Sequence, residues 1–197
     1  MKKTLFALIA SVSVMLAGVA HAGVIGFEDV ATAGDFTSLA DGNPYAALNW
    51  SADWYAGDNS IDGYGNAAHA GTHFSVNGFG DDPVGISGAA PFNFGGAWFA
   101  TPAGAADKAS WIEISAFDAT HQLIGGTGHV AIGDSYQWVA APFSNVASLS
   151  ITRDSGWYVM DDFTIADPTA AVPEPGTQLI SGIGLLALVA ARRRSAR

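Results

Sequence analysis

The sequence predicts an all-β protein, an antiparallel β-sandwich of jelly-roll type, flanked by an N-terminal signal peptide and a short C-terminal transmembrane helix. Three observations point there. Between the two ends, apolar and polar residues alternate in short runs, the period-2 pattern of strands with one buried face, and no window shows a helical period. Those runs are separated by clusters of Gly, Asn, Asp and Pro, the residues that turn a chain. The charges are partitioned as well: residues 23–171 hold 17 acids against 2 bases, Lys108 and Arg153, whereas Lys2 and Lys3 open the chain and Arg192, Arg193, Arg194 and Arg197 close it. The chain of 197 residues has net charge −10, so its middle carries −15 and its ends are sequence of another kind.

Composition removes several function classes. The absence of cysteine excludes a disulfide scaffold, a Cys-based zinc site and a thiol nucleophile. The acidity argues against a nucleic-acid partner, which needs clustered Lys and Arg. With 49% hydrophobic and 11% aromatic residues, the chain has apolar surface enough for a core.

In chain order, residues 1–22 have the three parts of a secretory signal: Lys2 and Lys3, an apolar run over 5–17, and Ala20-His21-Ala22, with small residues where a signal peptidase reads. The run is shorter than the ~20 residues of a membrane span. Gly23 is then the first mature residue. The domain over 23–167 should place strands at 24–27, 48–54, 72–76, 92–99, 111–117, 122–130, 136–140, 148–152 and 157–165, with Gly125-Gly126-Thr127-Gly128 turning a hairpin. Within 111–117, Ile112, Ile114 and Ala116 share a face; within 148–152, Leu149 and Ile151 do. In 157–165, alternation puts Trp157, Val159, Asp161, Phe163 and Ile165 toward the core. A carboxylate in that row must be hydrogen-bonded, paired or bound to a cation.

Residues 168–197 begin as a small-residue linker that Pro173-Glu174-Pro175 stiffens; an apolar stretch over 179–191 and then Arg192, Arg193 and Arg194 follow. Motif, short glycine-containing helix and basic tip, in this order and with an N-terminal signal, resemble the PEP-CTERM sorting signal of Gram-negative bacteria. The resemblance implies a substrate of an exosortase, a membrane transpeptidase-like enzyme that cuts near Pro-Glu-Pro. The protein would be exported through the inner membrane, held briefly by its C-terminal helix, and delivered to the cell surface or the extracellular matrix of a biofilm. The alternative is an ordinary anchor with Pro-Glu-Pro as a spacer.

A last strand containing Met160-Asp161-Asp162-Phe163, with an early Phe27-Glu28, resembles the jelly-roll domains that such exported proteins carry. It is also similar to calcium-stabilised carbohydrate-binding jelly rolls, in which acids of the first and last strands share an ion. This implies Glu28 and Asp161 as calcium ligands, with Asp29 and Asp162 pointing the other way; the alternative is a hydrogen-bonded structural Asp161. A second calcium candidate is the loop with Asp58, Ser60 and Asp62 at positions 1, 3 and 5 and Gly63 at 6. Its position 12 is His69 where a bidentate Glu belongs, so an Asx-rich surface turn is the competing reading.

Trp50, Trp54, Tyr55 and Tyr64 lie among Asn and Asp residues, either as a platform for polysaccharide or as core. Trp98, Trp111 and Trp138 read as packing. Catalytic patterns are poor: Gly85-Ile86-Ser87-Gly88-Ala89 misses the last glycine of a nucleophile elbow, and His69 and His73 lack a helix and a third ligand and read as solvated loop residues. Asn49-Trp50-Ser51 fits a glycosylation sequon. The function expected is a non-catalytic, exported matrix or envelope domain that binds polysaccharide; the alternatives are a secreted enzyme acting on matrix polysaccharide and a purely structural matrix component.

Overall fold

A computed structural model describes residues 23–78 and 82–166. The expected signal peptide, Pro173-Glu174-Pro175, the C-terminal helix and Arg192, Arg193 and Arg194 lie outside the described residues. Eleven strands occur within them: β1 Gly23–Ile25, β2 Thr37–Ser38, β3 Leu48–Trp50, β4 Trp54–Asp58, β5 His73–Asn77, β6 Val84–Ala100, β7 Trp111–Phe117, β8 Leu123–Gly126, β9 Val130–Ala131, β10 Gln137–Arg153 and β11 Val159–Ala166. A 3-10 turn at Ala40–Gly42 is the one helical element among them.

All pairings between strands are antiparallel, in the order β2-β4-β5-β11-β6-β10-β7-β8, with β1 added to β11, β3 to β6 and β9 to β7. The sheet folds into a sandwich because β6 and β10, each 17 residues long, run together through both layers. Register shifts between Ala140 and Ser148 bend the pair at its middle. The C-terminal half of β6 pairs with β11 and the start of β10, and its N-terminal half pairs with β3 and the end of β10.

Inward residues of the two layers meet in one core, with Trp50, Trp54, Phe94, Phe99 and Phe163 from one end of the sandwich to the other and Ile112, Ile114, Leu149 and Ile151 closing the second layer. There the expected alternation holds: Ile112, Ile114 and Ala116 are buried, as are Leu149 and Ile151. A smaller cluster of Ala67, Phe74, Val76, Ala100 and Val159 lies on the other side of the first layer, with Tyr64 and Tyr136 packed against it.

Several local expectations change, among them the runs at 136–140 and 148–152, which are one strand, β10. The run at 48–54 is two strands, because Trp54 N–H turns back to Ser51 C=O at 3.1 Å. The strand expected at 92–99 starts earlier, at Val84. Gly125 and Gly126 are strand residues of β8, and β8 and β9 lie end to end along β7 instead of forming a hairpin with each other. Around the start of β11 the core side belongs to Tyr158, just before the strand, and to Met160, while Val159 packs in the smaller cluster. Asp162, at φ 50°, and a register shift between Asp161 and Thr164 then turn Phe163 into the core. Asp161 is therefore buried on the side of the smaller cluster.

Candidate functional site

The segment between β4 and β5, residues 59–72, lies as a strap against the outer side of the first layer. It has no strand partner, so its backbone N–H groups need other acceptors. Local turns and the Asn59 side chain take some, and carboxylates take those of Ser60, His69, Ala70 and Thr72. Asp58 Oδ1 accepts from Ser60 N–H at 2.8 Å and from the Ser60 hydroxyl, and its Oδ2 accepts from Gly34 N–H at 2.9 Å and from the Thr32 hydroxyl. Asp161 Oδ2 accepts from His69 N–H at 2.8 Å and Ala70 N–H at 3.0 Å, and its Oδ1 from Asp162 N–H at 2.7 Å. Glu28 Oε1 accepts from Thr72 N–H and His73 N–H, both at 2.8 Å, while Oε2 stands 3.2 Å from the Thr72 hydroxyl and from His73 Nδ1. Gly71, at φ +65°, is what lets Glu28 in: a Cβ there would lie 2.2 Å from Oε1.

These bonds set the ionisation of the three acids. Hydroxyls of Ser60 and Thr32, then the amides of Ser60 and Gly34, hold the Asp58 carboxyl well below the usual range. Burial pushes Glu28 up, but the amides and ring of His73 and the amide of Thr72 outweigh it and leave it lowered. For Asp161 burial dominates over its amide bonds and pushes the carboxyl up to about 6.

The same bonds decide the fit to calcium. A calcium ion needs six to eight oxygen lone pairs turned toward it, and here those of Glu28, Asp58 and Asp161 receive N–H and O–H groups. Asp62 is exposed, and among the described residues no three His, Asp or Glu side chains converge on a point where a metal could sit. As arranged, these residues do not fit the ion.

The aromatic residues proposed as a platform are placed otherwise. Trp50 and Trp54 are 2% and 0% exposed and meet edge to face at 5.7 Å inside the core, which leaves neither ring a face for a sugar. Tyr64 is stacked on Phe74 at 5.5 Å, and half-buried Tyr55 packs against the same small cluster. The exposed indole lies elsewhere. Trp138 is 40% exposed and sits directly across from Trp98 in the β10–β6 pair, with ring centres 5.8 Å apart at 61°. Gly96, at φ +139°, makes room for it, since a Cβ there would stand 2.6 Å from the Trp138 ring.

The strap completes this face. His69 lies flat on Trp98 at 4.1 Å and edge-on to Tyr136 at 5.2 Å, and its Nδ1 is 2.7 Å from Asp162 Oδ2. The Tyr136 hydroxyl donates to Ala67 C=O, tying the ring to the strap. Sequence reasoning assigned Trp98 and Trp138 to packing and His69 to solvent. The available signal was Gly95-Gly96-Ala97 before Trp98, a break in side-chain cover on the strand.

No catalytic grouping assembles around the sequence candidates. Ser87 lines a shallow depression of about 360 Å³ with Asn49, Ser51 and Ser148, and neither a His nor an acid lines it. His69 and His73 turn to different acids, Asp162 and Glu28, instead of sharing one point.

Fold and face together define an antiparallel β-sandwich with an exposed aromatic patch on one layer, followed by a basic, apolar tail. That tail is recognised: residues 171–194 match the PEP-CTERM protein-sorting motif, so the chain carries a PEP-CTERM sorting domain. No curated protein matches the chain. Among solved structures, the chain is similar to the K2 cleaved adhesin domain of Lys-gingipain, at 8% identity and TM-score 0.44, over 74% of this chain and 97% of that one. It is also similar to TmCBM61, solved in complex with β-1,4-galactotriose, at 14% identity and TM-score 0.36, over 61% and 86% of the two chains. A third similarity is to the CBM22-1–CBM22-2 tandem domain of Paenibacillus barcinonensis Xyn10C, at 17% identity and TM-score 0.39, over 75% of this chain and 49% of that one.

Proposed function

We propose that the protein is exported, processed by an exosortase at its C-terminal tail, and delivered to the cell surface or extracellular matrix as a non-catalytic, polysaccharide-binding β-sandwich. The observation that carries the proposal is the sorting motif over 171–194, behind a chain start with the layout of a signal peptide. In this reading signal peptidase releases residue 23 onward, the helix and arginines hold the domain outside the membrane, and cleavage near Pro173-Glu174-Pro175 frees it.

The polysaccharide part rests on Trp138, packed beside the Trp98 ring that His69 covers. An indole offers a flat apolar face to the C–H side of a pyranose, and an open sheet face suits a long chain better than a pocket does. His69 and Asp162 add hydrogen-bonding groups beside the rings. The test has two arms. Replacing Pro173, Glu174 and Pro175 by Ala should leave the protein in the membrane fraction, and unchanged release would overturn the sorting reading. Trp138→Ala should weaken retention on polysaccharide about tenfold or more with only a small fall in melting temperature; retention equal to wild type would remove the face from the proposal.

A further inference from the structure

Stacking on an indole is open to any pyranose with a suitable C–H face, charged or not. Charge around the rings then decides which polymers can approach. Around Trp98 that charge is negative: Asp162 is 2.7 Å from the His69 ring that covers the indole, and Asp161 is buried beneath the same strap. Tyr136 senses both; burial, then the nearby Asp161 and Asp162 charges, push its hydroxyl far above the usual range.

The two cations of the described domain are already engaged. Lys108 Nζ is 2.8 Å from Asp134, and the Arg153 side chain, 10% exposed, is 3.6 Å from Asp82. With −15 over residues 23–171, the domain repels polyanions at any distance shorter than the Debye length, ~8 Å at physiological salt.

We infer that the Trp98–Trp138 face takes an uncharged polysaccharide and rejects uronate-bearing and sulfated chains. This rests on the reading of that face as a polysaccharide site. A uronate chain laid across Trp138 and Trp98 would bring its carboxylates toward Asp162, which holds the His69 ring on Trp98, and to no free cation among the described residues, whereas a neutral ring loses nothing by the approach.

The experiment uses pairs of polymers that share a backbone and carry neutral or anionic groups on it: hydroxyethyl against carboxymethyl cellulose, and dextran against dextran sulfate. The full chain, purified in detergent, is run by affinity electrophoresis through gels holding each polymer, with EDTA present so that calcium cannot bridge acid to acid. At least one neutral polymer should retard it, equally at low and high salt, and its charged partner should not. Trp138→Ala should weaken the retardation about tenfold or more. Binding of the charged member as tightly as its neutral partner would overturn this inference and leave the polysaccharide reading standing. Failure of all four polymers to retard the protein, or retardation untouched by Trp138→Ala, would bring down that reading and the inference with it.

Discussion

Replacing Asp161 by Ala removes the acceptor of three backbone amides, those of His69 at 2.8 Å, Ala70 at 3.0 Å and Asp162 at 2.7 Å. A part-buried amide that loses its partner costs about 1–2 kcal/mol where water can partly take the acceptor's place. Removing a buried carboxylate offsets some of this, so the net loss is about 2–4 kcal/mol. For a domain of this size that lowers the melting temperature by roughly 5–15 °C. Asp161→Asn keeps one acceptor oxygen and should lose less.

A pH dependence separates this account from simple cavity formation. The folded carboxyl sits at about 6 against 3.8 when unfolded. A group raised on folding stabilises below its unfolded value and loses that contribution as pH rises through its folded one. The wild-type advantage over Asp161→Asn is therefore greatest at the acid end of that window and shrinks toward about pH 6. Urea unfolding followed by tryptophan fluorescence at several pH values measures both quantities. An Ala variant with the wild-type urea midpoint, or an Asn deficit that grows across the window, would refute the argument.

Other residues give further expectations. Gly71→Ala forces a Cβ to 2.2 Å from Glu28 Oε1 at φ +65°, and a loss of about 2 kcal/mol or more in urea is expected. Glu28 and Asp58 are lowered from 4.5 and 3.8, so the stability they contribute is present above those values and is lost as pH falls below them; acid titration by circular dichroism reads it. Adding calcium to EDTA-treated protein should leave its melting temperature unchanged, because the strap carboxylates already accept hydrogen bonds; a saturable rise would show that the acids rearrange around an ion. Trp54→Ala should cost about 3–5 kcal/mol as a core cavity, and Trp138→Ala, whose ring is 40% exposed, well under half of that.

Much of the architecture was legible because period-2 patterning survives wherever one face of a strand meets the core and the other meets water, as in β7 and at the end of β10. It failed where that condition fails. Tyr158, Val159, Met160 and Asp161 are all buried, since the strap covers the outer side of β11 as the core covers the inner side, and a bulge at Asp162 then reverses the phase. No alternation can be read from a strand buried on both sides. The acids that hold the strap were legible as chemistry: Glu28, Asp58 and Asp161 stood out as calcium-ligand candidates, and Asp161 also as a carboxylate needing a partner. Their partners were not, because backbone amides leave no mark in a sequence. The aromatic face was missed for a related reason, since what seats the Trp138 ring is a missing side chain at Gly96 on a neighbouring strand.

A domain with 17 acids and 2 bases cannot balance its carboxylates with ion pairs. This one turns many of them on its own backbone. Besides the strap, Asp118 accepts from the amides of Thr120 and Gln122, and Asp154 from that of Ser110. Each sits where the chain leaves a strand and its N–H groups lose their ladder partners, so the acid completes a turn as a cap completes a helix. The arrangement imitates the front half of a calcium loop, since both need oxygen at short, regular spacing. Here the amides fill the oxygens from within. Where these bonds lower the carboxyl, as at Glu28, Asp58, Asp118 and Asp154, the stability they add is present at neutral pH and is lost on protonation, whereas buried Asp161 runs the other way.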